Sequence, residues 1–329
     1  MGVITVNDRS VSLLDNYDIE VLRTWKGRGA ILCETDKGIL VLKEYAGHKE
    51  KVLFQDALLT LVKENGFEHV ESILRNKDQE LITQDQEGNS YILKTYFDGR
   101  ECNVRDMEEC RLAVQTLAKL HKASQVTEDF LGGILLHPAH LEFEKHNKEL
   151  RKVRKFIKGR SQKTDFEICL MKSYDYFFNL ALQITEELRF YQKEGSLYFI
   201  CHGDYQHHNI IVTDARMKLV NFEKCIPDSP VRDLYLFMRK LLEKNNWDET
   251  TGFDIINSYH LERQLEKEEY RQLYYRLAYP EKFWKIVNFY YNSGKAWIPG
   301  KNLEKLVKVI DQEKEKQCFL EKYKYRYGV

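Results

Sequence analysis

The chain has 329 residues and a mass of 39.2 kDa, with 51 basic and 51 acidic side chains that cancel at pH 7. Hydrophobic residues at 43%, charged residues at 31% and only five prolines exclude collagen-like, low-complexity and broadly disordered classes; a soluble globular protein of two domains is expected. Zero net charge gives no global electrostatic case for nucleic acid or an anionic membrane as partner, so any such surface must be local.

The first residues, MGVITVNDRSVSLL, lack the charged and apolar regions of a secretory leader. No apolar run approaches the roughly 18 residues of a membrane span. Seven widely spaced cysteines without a C-x-x-C pair argue against a disulfide framework or a structural zinc site, and read as reduced cytosolic thiols.

In chain order, DIEVLRTW, AILCET and ILVLKEY read as strands, with Asp36-Lys37-Gly38 turning between the last two. Lys26-Gly27-Arg28-Gly29 joins the first two, and its glycines allow a tight turn and close backbone approach to a ligand. Alone, such a loop is equally an ordinary hairpin connection. Lys49 to Asn65 carries apolar residues at helical spacing and is followed by Gly66 as a helix stop. Extended runs follow near Val70 to Leu74, Leu81 to Gln84 and Tyr91 to Phe97, before a boundary at Asp98-Gly99-Arg100. Beyond it the spacing predicts helices over Cys110 to Ala123, Leu141 to Ile157, Ile168 to Tyr191, Val231 to Lys244, Gln264 to Ala278, Glu281 to Asn292 and Leu303 to Tyr323. The expected organisation is a β-rich lobe over residues 1–98 and a larger helical lobe over 99–329. In the second, only Tyr198 to Cys201 and Lys218 to Phe222 read as short strands, flanking the polar segment CHGDYQHHNII.

That segment carries the chemistry. Asp204 stands five residues before Asn209, a spacing that offers a carboxylate to a hydroxyl proton and an amide oxygen to a metal. Leu219-Val220-Asn221-Phe222-Glu223 follows, and upstream Leu40-Val41-Leu42-Lys43 puts a lysine on a strand. A strand lysine, a hinge, an Asp/Asn loop and a short acidic motif, in that order, are the parts of a phosphoryl-transfer site.

His202-Gly203-Asp204 with Asn209 and Asn221 resembles the H-G-D-x-x-x-x-N and D-x-D/E pattern of the aminoglycoside phosphotransferase and choline kinase-like group. Within it the chain is most similar to the spore-coat CotS family. The likeness runs through Phe97-Asp98-Gly99-Arg100-Glu101, LAKLH at 117–121, Pro230-Val231-Arg232-Asp233-Leu234, YPEKFW at 279–284 and YYNSGKAWIPGKNLEKL at 290–306. The resemblance implies an α+β, bilobal protein-kinase-like fold, with Lys43 on the phosphates of ATP, beneath the Gly27/Gly29 loop. It further implies Asp204 as catalytic base, Asn209 as a magnesium ligand, His202 bracing the loop and Asp233 as a buried supporting acid. It also implies synthesis in the mother-cell cytoplasm, deposition in the spore coat, and other coat proteins as partners.

Two departures oppose activity. Asn221 replaces the metal-binding Asp, and Gln55, beside Asp56, stands where a helix glutamate should pair with the strand lysine, Glu50 being more distant. A unit charge at 4 Å is worth about 4 kcal/mol at an effective dielectric of 20; lost in the transition state, that slows a reaction on the order of a thousandfold. In an extended segment Glu223 would share the face of Asn221 and replace the lost ligand. The expectation is therefore a coat-assembly role with a degenerate or weak site, the alternative being an active ATP- and magnesium-dependent phosphotransferase on a small hydroxylated molecule, a sugar or a coat protein. His202, His207 and His208 lack the accompanying ligand spacing of a zinc site.

Residues 144–163 hold nine Lys/Arg against two Glu, a local charge of +7. Such a run is ordinarily a solvated helix face. On the acceptor side it would repel polycationic aminoglycosides and favour an anionic small-molecule or protein acceptor. The twenty tyrosines form no repeat and read as core and helix-surface residues.

Overall fold

The computed structural model describes residues 9–27, 29–132, 138–190, 197–214, 216–292 and 299–329. Arg28 of the glycine loop, the N-terminal residues 1–8, Tyr191 and residues 293–298 of the C-terminal motif lie outside them. The chain divides into two compact units, one of residues 1–125 and 202–226, the other of 126–201 and 227–329.

In the first unit, β1 (Val21–Gly27), β2 (Ala30–Thr35), β3 (Gly38–Glu44), β4 (Ile73–Leu74), β5 (Thr83–Gln84) and β6 (Ser90–Thr95) make one antiparallel sheet. Its order is β1-β2-β3-β6-β4, and β5 pairs with β6. Alternation along β2 and β3 sends Ile31, Cys33, Leu40 and Leu42 into a core closed by Leu13 and Leu14 of a preceding 3-10 turn, by Tyr17 just after it and by Leu93. Helix α1 (Lys49–Glu64) ends as expected, with Asn65 closing on Leu61 O and Gly66 at φ +84°.

The segment that follows the expected boundary at Asp98 belongs to this same unit. β7 (Arg100–Glu101) pairs with β10 (Ile210–Thr213), which pairs with β11 (Arg216–Leu219). Helix α2 (Met107–Ala123), capped by Asp106, receives Tyr205 Oη on Ala113 O at 2.7 Å. These pairings lie within residues 99–329; what joins the polar loop's hairpin to the preceding chain is the bridge between Val70 and Leu219, so the first unit runs past the expected boundary at Asp98. β10 was not expected as a strand, and the run expected over Lys218 to Phe222 is a strand only to Leu219.

The chain passes between the units at three short strands, β8 (Gln125–Thr127), β9 (Leu197–Cys201) and β12 (Ile226–Pro227). The second unit is helical: α3 (Glu128–Leu131), α4 (Ala139–Lys158), α5 (Asp165–Arg189), α6 (Val231–Lys244), α7 (Glu249–Glu262), α8 (Lys267–Ala278), α9 (Glu281–Asn292), α10 (Pro299–Asp311) and α11 (Glu313–Tyr327). Leu150, Ile157, Leu170, Phe177, Phe283 and Leu306 are the centre of its core. The single helix expected over Leu303 to Tyr323 is broken at Gln312, whose side-chain amide donates to Glu243 O at 3.1 Å. No described helix is long and apolar enough to cross a membrane.

Candidate active site

The first unit carries the strand lysine, the loop and the turn that follows it. β3 presents Lys43 from the middle of the sheet. The loop between β9 and β10 presents Asp204 and Asn209, and its shape is fixed by His202, fully buried. His202 Nε2 bonds Val220 O at 2.9 Å, and its Nδ1 accepts the Asp204 N–H at 3.2 Å, so one ring braces both the loop and the chain entering the next turn. Gly203 sits at φ +78°, and a Cβ there would collide with the carbonyl of Lys224. Only glycine lets the two backbones touch.

Asn209 Nδ2 donates to Asp204 O at 2.8 Å, which orients the amide and leaves Oδ1 as its acceptor. That oxygen receives Asn221 Nδ2 at 2.9 Å. The two side chains that would hold a magnesium ion are hydrogen-bonded to each other. Asn221 is left-handed, φ +66° and ψ +56°, and Phe222–Lys224 form a 3-10 turn. The segment is not extended, so the expected sharing of a face by Asn221 and Glu223 does not arise.

Glu223 instead enters a buried charge network. Its Oε1 accepts from Lys43 Nζ and from Lys94 Nζ, both at 3.0 Å. Lys94, on β6, is 2% exposed and also pairs with Glu71 Oε2 at 3.0 Å. Glu71 Oε1 accepts the backbone N–H of Asn221 at 3.0 Å and of Phe222 at 3.2 Å, and Gln55 Nε2 of α1 at 3.3 Å. Burial alone would raise the carboxyl of Glu223, but the ammonium groups of Lys94 and Lys43 hold it down to about 2. For Lys94 burial pulls the other way, and Glu71 and Glu223 prevail to keep it charged.

Asp204 is engaged on both oxygens: Gln206 Nε2 donates to Oδ1, and Lys224 Nζ to Oδ2 at 2.8 Å. Its side chain is partly accessible, while that of Lys224 lies largely in solvent. Gly29 stands at φ +70° in the turn between β1 and β2, and Gly27 ends β1. Asp233 lies in the second unit, fully buried in the first turn of α6.

The expected Lys43, Asp204, Asn209, Asn221 and Glu223 are thus all in one unit. Sequence reasoning missed Glu71, Lys94, Gln206 and Lys224. A signal existed for Lys94: a lysine between Leu93 and Thr95 in an otherwise apolar run needs a buried partner.

A divalent ion of the magnesium type takes oxygen ligands and favours carboxylates. The residues present do not fit one: the two amides at the position satisfy each other, Glu223 is drawn to two lysines, and Asp204 to a third.

Residues 10–323 match the family model described as spore coat putative kinase YutH, and the chain belongs to that family. It is 23% identical over 317 residues to spore coat protein S of Bacillus subtilis, covering 90% of this chain and 87% of that protein. Among solved structures it is similar to an aminoglycoside phosphotransferase from Alicyclobacillus acidocaldarius, with a TM-score of 0.82 at 18% identity, over 97% of this chain and 96% of the other. A spectinomycin phosphotransferase, APH(9)-Ia, solved with ADP and spectinomycin, matches with a TM-score of 0.68 at 12% identity, over 93% and 97%. These likenesses establish the α+β, kinase-like fold.

Proposed function

We propose that this protein is a spore-coat assembly component whose kinase fold persists with a degenerate phosphotransfer site, and that it acts through coat-protein partners after deposition from the mother-cell cytoplasm. The observation that carries the reading is the hydrogen bond between Asn209 and Asn221, which fills a metal position with two neutral amides. The pairing of Glu223 with Lys43 and Lys94 supports it, because the acid of that turn is committed elsewhere. Family membership and the relative spore coat protein S support the location.

The second reading is an ATP-dependent phosphotransferase. It is favoured by Asp204 and Asn209, which stand linked in a braced loop, and by the ADP held in the similar spectinomycin phosphotransferase. In that reading Asp204 would take the acceptor's proton. Lys224 beside it would disfavour polycationic aminoglycosides and favour an anionic acceptor.

Calorimetric titration with ATP, with and without magnesium, separates the two. The assembly reading expects no binding, or binding indifferent to magnesium. Tight binding that needs both magnesium and Lys43, lost in Lys43→Ala, overturns it in favour of the phosphotransferase.

A further inference from the structure

The basic run that the site leaves unused lies in the second unit on α4, a helix of 20 residues. At about 100° per residue, Leu141, Lys145, Lys148, Lys152, Lys155 and Phe156 fall within one arc of about 100°. All six are exposed, Leu141 at 48% and Phe156 at 53%. The four lysines form no ion pair among the described residues.

The acids of the same helix form no ion pair with them. Glu142 is met by Arg232 at 3.3 Å, Glu144 by Arg189 at 2.7 Å, and Glu149 accepts Trp284 Nε1 at 2.7 Å. On the neighbouring helix α5, Asp175 is held by Arg154 and Glu186 by Arg189. The opposite face of α4 is committed to the core through Phe143, Leu150, Val153 and Ile157. What remains outward is a row of four ammonium groups without an ion-pair partner among the described residues, with an apolar side chain near each end. Phe156 makes an edge contact with Tyr291, with centroids 5.5 Å apart, and still leaves half of its surface bare.

We infer that this face of α4 is a docking surface for an anionic lipid bilayer. Long lysine stems reach a plane of phosphate headgroups from a convex helix, while Leu141 and Phe156 enter the acyl boundary. Acidic motifs are read by clusters of arginine, whose planar fork matches a carboxylate, and the outward row carries lysine alone. Each lysine at such a surface multiplies partitioning about fivefold, and four together on the order of several hundredfold.

The test is co-sedimentation of the full chain with phosphatidylcholine vesicles, with and without about one-third phosphatidylglycerol. Binding is expected only to the anionic vesicles, and is lost as salt rises from about 0.1 M to about 1 M. Lys148→Glu with Lys152→Glu should lower it at least about a hundredfold, and Phe156→Ser about tenfold. The control pair Lys51→Glu with Lys267→Glu, exposed lysines off this helix, should leave it unchanged. Circular dichroism confirms that each variant is folded. Equal binding to neutral vesicles, equal loss in the control pair, or capture of poly-glutamate without any binding to vesicles overturns the inference.

Discussion

Asn221→Asp restores the carboxylate that the kinase-like pattern has at this position, and its effect can be worked from one hydrogen bond. In the native chain Asn221 Nδ2 donates to Asn209 Oδ1 at 2.9 Å, and Asn209 cannot turn over because its own Nδ2 is committed to Asp204 O. An aspartate removes the donor and sets a carboxylate oxygen against the amide oxygen. The backbone is indifferent, since φ +66° suits Asp as it suits Asn. The cost is that of a partly buried acceptor left without its donor, about 1–3 kcal/mol. A magnesium ion between the two oxygens reverses the sign of their interaction. At a hundred times its dissociation constant it returns about 2.7 kcal/mol. Urea denaturation of both proteins, with magnesium against sodium at matched ionic strength, reads this directly. The native chain should show no magnesium response; the variant should be weaker without the ion and regain the difference with it. A native chain stabilised by magnesium, or a variant with neither cost nor response, refutes the argument that the amide pair excludes the metal.

Lys94→Met leaves Glu71 and Glu223 without the ammonium between them and should cost about 3–5 kcal/mol in urea denaturation; adding Glu71→Gln and Glu223→Gln should recover much of it, and no recovery would disprove the ion-pair account. Gly203→Ala should destabilise by at least about 2 kcal/mol in thermal melts, because the Cβ meets the Lys224 carbonyl. Gly29→Ala, also at positive φ but in open space, should cost about 1 kcal/mol; equal costs would show that the loop-to-turn contact is not tight. His146 is buried against Trp284, with centroids 3.3 Å apart, and burial pushes its pKa down to about 4. The unfolded chain therefore takes up a proton that the native one refuses between pH 6.5 and 4. Stability present above pH 6.5 falls by on the order of 3 kcal/mol across that window. His146→Phe keeps the stacked ring and should flatten the slope; an unchanged slope would place its origin elsewhere.

What could be read before the structure follows from the range of the interactions involved. Helices α6 and α9 have the expected bounds because Pro230 and Pro280 precede runs of apolar residues at three- and four-residue spacing. Helix α7 was invisible: ETTGFDIINSYHLE is rich in weak helix formers, and the helix is held by Asp248 capping Thr251 and by Gly252 lying against Phe319. The loop from His202 to Asn209 was legible because its parts are contiguous. The charge network was not, since Glu223 lies 129 residues from Lys94 and 180 from Lys43, and no local pattern joins them. The turn at Asn221 was misread as strand because Leu219-Val220-Asn221-Phe222 alternates as a strand does, while its left-handed residue is fixed by Glu71 gripping two consecutive N–H groups.

Sequence alone makes Asn221 one of two departures, beside Gln55, but the arrangement around it changes what that loss means. Three carboxylates, Glu71, Glu223 and Asp204, face three ammonium groups, Lys94, Lys43 and Lys224, within one unit. The cluster is neutral without a metal. A divalent ion entering it would have to draw an oxygen away from a lysine that already satisfies it, and for the Glu71–Lys94 pair that lysine is fully desolvated. A carboxylate at position 221 supplies one new charge and so admits an ion. It leaves Lys224 on Asp204 and Glu223 on Lys43, so metal binding and phosphate transfer separate: Asn221→Asp is expected to gain the first without the second. Transfer of phosphate from ATP by Asn221→Asp would mean that the lysine pairs yield readily to substrate and do not by themselves block the site.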